Sequence, residues 1–209
     1  NQSNMIEKGI AGPIGAALGP DGVPVYSPTR DPGFYNTVSS ASSFAMWCAD
    51  IPGNMRVSGV TIPFTTNSDG TFSYNNPAFF PIDNQGFGTE GFGHNYHFTA
   101  QFHASFTYSP GQMFSIISDD DSFVFINHKL AIDAGGIHGT LGGSIDLSTL
   151  SLTTGGVYDL DIFYAERNRF GAALEMSTNI LLPEPATGAL LACAASLLLM
   201  SSTRGRRVA

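Results

Sequence analysis

Residues 96–108 alternate without a break. Tyr96, Phe98, Ala100, Phe102, Ala104, Phe106 and Tyr108 interleave with His97, Thr99, Gln101, His103, Ser105 and Thr107. A period of two puts one face of a strand on a core and the other in water. It predicts an antiparallel sheet rather than a parallel one covered on both sides. Residues 157–164 repeat the pattern, with Tyr158, Leu160, Ile162 and Tyr164 on one face, and residues 173–180 place Leu174, Met176 and Ile180 together. Residues 113–117, 123–127 and 129–133 read as further strands, and 56–62 and 71–74 as shorter ones. Residues 1–54 are rich in Gly, Pro and Ser and read as irregular, with a helix over 39–47. No internal repeat and no linker interrupts the chain before Leu182. The pattern predicts an all-β fold, a sandwich or flattened barrel of about eight to ten strands. Its core draws on Phe98, Phe102, Phe106, Val124, Ile126, Leu160 and Ile162.

The last 27 residues depart from this pattern. Pro183-Glu184-Pro185 precedes an apolar run, 186–200, and then Arg204, Arg206 and Arg207. The run reads as one short hydrophobic helix, shorter than the roughly 20 residues that cross a bilayer comfortably. Cations on one side only suit a tail whose arginines stay cytoplasmic. Composition is therefore read in two parts, residues 1–182 and 183–209. Residues 1–182 hold 16 of the 17 acids and six of the nine basic residues, a net charge of −10. Such a surface repels phosphate backbones, which argues against nucleic acid as a partner, and suits divalent cations. Of the two cysteines, Cys193 lies in the apolar run, so Cys48 has no partner within the domain. The chain begins without a charged and apolar leader, as expected of a processed export substrate or a fragment.

The chemistry concentrates in Ser118-Asp119-Asp120-Asp121-Ser122, set between two apolar strands. In an extended strand Asp119 and Asp120 would point to opposite faces. A cis Asp–Asp peptide would aim both at one ion. A hard cation taking oxygen ligands is the natural occupant. A solvated acidic hairpin turn explains the same residues, and composition alone favours it.

The stretch from Ser118 to Gly139 resembles the central motif of PA14-like domains, especially their fibro-slime branch. So do Phe44-Ala45-Met46-Trp47 with Asp50-Ile51-Pro52-Gly53, Phe79-Phe80-Pro81-Ile82, His94-Asn95-Tyr96-His97-Phe98-Thr99, Phe106-Thr107-Tyr108 and Phe163-Tyr164-Ala165-Glu166-Arg167. The resemblance covers about residues 10–180 in family order. It implies an antiparallel β-sandwich in which Asp119 and Asp120 form the cis pair that binds calcium. It implies that an oxygen from the loop after a later strand completes the site. That position falls on Glu166, where the lectins carry Asn, with Asn168 as second choice. Asp121 and Asp133 are expected behind the ion or in a structural role, and Asp121, at a position often Gly in the family, is expected to affect calcium and sugar binding much less than Asp119 when changed to Asn. Gly135-Gly136-Ile137-His138-Gly139 lets a ligand approach the backbone. His138 reads as the rim of a sugar or cation site, or, more simply, as a hydrogen-bonded loop histidine. His128 stands where the family usually has Gly, so the turn at 127–128 must differ.

The order Pro-Glu-Pro, apolar run, arginines resembles the PEP-CTERM sorting signal. That resemblance implies export, retention in the inner membrane of a Gram-negative bacterium, and processing by an exosortase. Other chemistries fit less well. His97 and His103 are about 20 Å apart along a strand at roughly 3.3 Å per residue, and His94 with His97 lacks an apparent third zinc ligand. Calcium-bound aspartates would stay ionised and could not serve a glycosidase as proton donors. No nucleophile elbow, phosphate loop or dinucleotide fingerprint is present. Phe34, Tyr35, Phe44 and Trp47 are candidates for sugar stacking, though such aromatics more often pack in a core. The reading is a non-enzymatic, calcium-dependent carbohydrate-binding domain, residues 1–182, of the cell surface or extracellular matrix. A sorting tail, 183–209, follows. A structural matrix protein and a glycan-active enzyme are the alternatives.

Overall fold

The computed structural model describes residues 14–27, 38, 40–49 and 51–182. The tail at 183–209, Phe34, Tyr35 and Asp50 lie outside them. No helix among the described residues is long and apolar enough to cross a membrane.

Eleven strands form two antiparallel sheets among the described residues. In chain order they are β1 (Ile14–Leu18), β2 (Pro24–Tyr26), β3 (Thr65–Thr66), β4 (Phe72–Asn76), β5 (Phe98–Thr107) and β6 (Met113–Asp119). β7 (Asp121–Ile126), β8 (Lys129–Ala134), β9 (Leu141–Asp146), β10 (Val157–Glu166) and β11 (Ala173–Thr178) complete the set. One sheet runs β2-β1-β8-β7-β10-β5 and the other β3-β4-β11-β6-β9. This is the β-sandwich the alternation predicts. β5 pairs with β10 along its whole length, from Val157 opposite Thr107 to Glu166 opposite Phe98. The inter-sheet core takes the inward side chains of both, with Phe98, Phe106, Leu160, Ile162 and Tyr164 meeting Phe114, Ile116, Leu174 and Met176. Burying aromatic and aliphatic side chains of this size stabilises by about 1.5–3 kcal/mol each.

Three expectations need correction. The N-terminal region is not wholly irregular, since β1 and β2 extend the larger sheet through Ala17 opposite Lys129. Residues 56–62 form no strand, and β9, which carries Gly142 and Gly143, takes a place at the edge of the second sheet. The helix is short, α1 (Ala41–Ala45), capped by Ser40, whose Oγ accepts the Ser43 N–H at 3.1 Å. α1 and the residues after it lie on the outer face of the larger sheet. Phe44, Val38 and Ile14 pack there with Phe123, Phe125 and Phe163 in a second core. β7 is therefore buried on both faces. Thr99 Oγ1 ties this segment to β5 by donating to the Trp47 carbonyl at 2.6 Å. Phe44 is buried and packs at a tilt against Trp47, so its role is packing. Burial pushes the Cys48 thiol up to about 12, leaving it protonated.

Candidate metal and carbohydrate site

The acidic segment is not a hairpin turn. β6 belongs to one sheet and β7 to the other, so the chain crosses between sheets at Asp119 and Asp120. The Asp119–Asp120 peptide is cis. Ser118, Asp120, Asp121 and Ser122 are buried, which sets aside the solvated-turn reading. Ser118 Oγ donates to the Asp120 carbonyl at 2.8 Å and lies 2.7 Å from Ser122 Oγ, closing the crossing on itself.

Three carboxylates converge there. Asp119, Asp120 and Glu166 present oxygens that all lie within 4.8 Å of one another. Oxygens on opposite sides of one calcium ion stand about 4.6–5.2 Å apart, because each lies about 2.3–2.6 Å from it. The donors are all oxygen, as a hard cation requires, so the residues present fit calcium.

Two of the three carboxylates are held from outside. Asp120 Oδ1 accepts the His138 N–H at 2.9 Å and Oδ2 the Arg167 N–H at 3.2 Å. Asp120 thus joins the loop after β8 to the loop after β10. Glu166 Oε1 accepts the Asn168 N–H at 2.9 Å, and Oε2 lies 3.1 Å from the Tyr164 hydroxyl. That hydroxyl also donates to the Asp119 carbonyl. Asp119 is the most open of the three and faces Gly171. A Cβ at Gly171 would come within 2.8 Å of Asp119 Oδ2. We expect Gly171→Ala to weaken calcium affinity by about tenfold, or 1.4 kcal/mol, with the melting temperature of the metal-free protein little changed. Calorimetry and thermal melts check this.

Asp121 does different work. Its side chain is fully buried and turned away from the convergence. Oδ1 accepts the Gly136 N–H at 2.6 Å, and Oδ2 accepts the Arg167 Nε–H at 2.8 Å and lies 2.7 Å from Arg167 Nη2. Arg167 in turn lies over the Trp47 ring, 4.5 Å from its centroid. The Asp121–Arg167 pair therefore links the crossing, the loop after β10 and the α1 segment. Asn168 meets the cluster through its backbone. Asp133 lies on β8 opposite Phe123. His138 turns its ring into its own loop, with Nδ1 2.7 Å from the Gly139 carbonyl and Nε2 3.1 Å from that of Ala134. Its backbone N–H reaches the acidic cluster through Asp120.

The electrostatics favour a cation. Burial, and then the charge of Asp120, push Asp119 up to about 6. Burial, with Asp120 and Asp119 adding to it, pushes Glu166 up to about 8. Burial raises Asp120 as well. Unfolded carboxylates titrate near 4. The metal-free folded state thus binds more protons than the unfolded chain between about pH 4 and 8, and its stability falls as pH rises through that window. We expect the protein in chelator to melt lower at pH 8 than at pH 5, and calcium to raise the melting temperature more at pH 8. A metal-free profile that is flat or rising between the two would contradict this.

Comparison with known proteins places the chain in a family. The chain is 37% identical over 193 residues to protein psiQ of Dictyostelium discoideum, covering 85% of this chain and 19% of that protein. It is 36% identical over 167 residues to protein psiB and 37% over 189 residues to protein psiD of the same organism. Those matches cover 75% and 85% of this chain, and 29% and 37% of those proteins. The chain thus spans well under half the length of these relatives. No solved structure matches it. The model of the PA14 domain matches residues 64–186, more than half of the chain and the whole of the acidic crossing. With two antiparallel sheets and an acidic crossing between them, the chain belongs to the PA14 domain family.

Proposed function

We propose that residues 1–182 form a calcium-dependent carbohydrate-binding domain of an exported cell-surface or matrix protein, with exopolysaccharide as the ligand class. PA14 is a binding-type domain family associated with carbohydrates and adhesion, and catalysis is not part of the proposal. The observation that carries it is the convergence of Asp119, Asp120 and Glu166 within 4.8 Å at the crossing between sheets. Calcium held there would offer open coordination positions to neighbouring hydroxyls of a sugar. Phe170, in the loop after β10, is 89% exposed and offers an apolar face of the kind that packs on sugar rings. A glycan array run with calcium and with chelator tests the reading. Chelator-sensitive binding supports it, and binding that ignores chelator counts against it. Release of reducing sugar would instead show an enzyme.

A second reading has its own support. Asp120 and Asp121 hydrogen-bond to both flanking loops, so calcium would stiffen those loops with or without a sugar. A matrix protein of that kind would gain thermal stability from calcium but retain no glycan on the array.

Export and processing belong to the same proposal. Pro183, Glu184, Pro185, Arg204, Arg206 and Arg207 are the sorting signal, recognised by an exosortase at the inner membrane of a Gram-negative bacterium. Ile180 and Leu182 still pack on the core, so a chain ending at Leu182 is expected to fold and stay soluble. Failure of that truncated chain to fold would contradict the boundary.

A further inference from the structure

The end of the sandwich opposite the acidic crossing carries a different kind of surface. β6 and β10 run toward the crossing and β11 runs away from it, so Met113, Val157 and the residues after β11 gather at the far end. Three loops meet there, residues 108–112, 147–156 and 179–182. Hydrogen bonds tie them into one platform. Asn179 Oδ1 accepts the Met113 N–H at 2.7 Å, and Asn179 Nδ2 donates to the Gly111 carbonyl at 2.9 Å. The Leu147 N–H donates to the Gln112 carbonyl, and the Tyr108 N–H to that of Gly156, both at 2.9 Å. These three loops contain no Asp, Glu, Lys or Arg, in a domain whose net charge is −10. Met113, Val157 and Leu181 are exposed here, Val157 at 68% and Leu181 at 72%. Asp146, opposite Met113, is exposed at the rim and caps the Ser148 N–H at 2.9 Å.

The chain leaves the domain at this end. Leu182 still packs on the core, and Pro183-Glu184-Pro185 alone separates it from the apolar run at 186–200. Three residues span at most about 10 Å. The polar zone on one side of a bilayer is about 5–8 Å deep. An apolar run lodged in hydrocarbon would therefore hold this end of the domain against the headgroups. The loops placed there have no charged side chain to desolvate. Exposed apolar side chains are what the boundary between headgroups and acyl chains accepts.

We propose that this end is a bilayer-contact surface, with Met113, Val157 and Leu181 seated at the headgroup–acyl boundary and the acidic crossing turned away from the membrane. The proposal rests on the sorting-tail reading above. β10 sets the reach, because Val157 stands at the membrane end and Glu166 in the acidic cluster. That strand is about 30 Å long at roughly 3.3 Å per residue. A glycan held at the crossing would stand that far above the lipid, on the side from which an extracellular polymer arrives.

The test puts a fluorophore on a single cysteine of the full chain, at Val157→Cys or at Phe170→Cys, with Cys48→Ser and Cys193→Ala removing the native thiols. Both positions are exposed, so neither substitution disturbs the core. The protein is reconstituted into phosphatidylcholine vesicles and titrated with iodide. The label at position 157 is expected to be quenched several-fold less than the label at position 170, beside the crossing, and to emit further to the blue. Equal quenching at the two positions in vesicle-bound protein would overturn the proposal and leave the tail reading standing. A full chain that does not float with the vesicles would overturn both. Shielding at position 157 that grows with the number of chains per vesicle would assign the surface to a second copy and so also overturn it.

Discussion

Replacing Asp119 with asparagine is expected to remove calcium binding while leaving the fold intact. The calcium affinity of oxygen sites follows the number of charged ligands, and Asp119 supplies one of three. A loss of about a hundredfold or more, about 2.7 kcal/mol, is the expected result. The metal-free protein should not suffer. Asp119 is the least buried of the three carboxylates, and its charge is unfavourable beside Asp120, which helps hold its pKa near 6. Asparagine relieves that repulsion, so the metal-free melting temperature should hold or rise slightly. Asp120→Asn is a poorer probe. Asp120 accepts one N–H on each oxygen, and an amide can accept only on one side. The mismatch would cost about 1–3 kcal/mol in addition to the lost ligand. Wild-type calcium affinity in Asp119→Asn would show that the ion, if bound, sits elsewhere.

The second large effect is on stability. Asp121→Ala is expected to destabilise the domain by about 3–5 kcal/mol, whether or not calcium is present. The substitution strands the Arg167 guanidinium, whose side chain is only 15% exposed against a fully buried Asp121. It also leaves the Gly136 N–H without its acceptor. A domain of this size should lose roughly 2–4 °C of melting temperature per kcal/mol, so a fall of about 6–20 °C is expected. Even Asp121→Asn should be clearly destabilising, because a neutral amide cannot match the guanidinium charge. The sequence placed Asp121 behind the ion or in a structural role, and the ion pair with Arg167 gives that structural role its content. Thermal melts of the two variants decide the point, and a melting temperature within a degree or two of wild type would contradict the buried ion pair.

What was legible depended on how strongly local pattern determines each feature. The alternation in residues 96–108 and 157–164 is long enough that only strands satisfy it, and these became β5 and β10. β9 was invisible because Gly142 and Gly143 carry no hydrophobic signal. They are required there by close approach, since a Cβ on Gly142 would run into the Ile116 carbonyl. β1 and β2 are short and gain their stability by pairing rather than by their own pattern. The three adjacent aspartates are equivalent in composition. Only the switch of sheets between Asp119 and Asp121 separates residues that face an open cluster from one that meets Arg167.

Calorimetric titration of the full chain with calcium, in buffer already saturated with magnesium, tests the central claim most directly. Magnesium holds its water and demands an octahedron, whereas calcium accepts the irregular oxygen cluster of Asp119, Asp120 and Glu166. The account predicts one calcium equivalent that magnesium does not displace and that Asp119→Asn abolishes. No calcium heat in the wild type, with a melting temperature indifferent to calcium and to chelator, would contradict it.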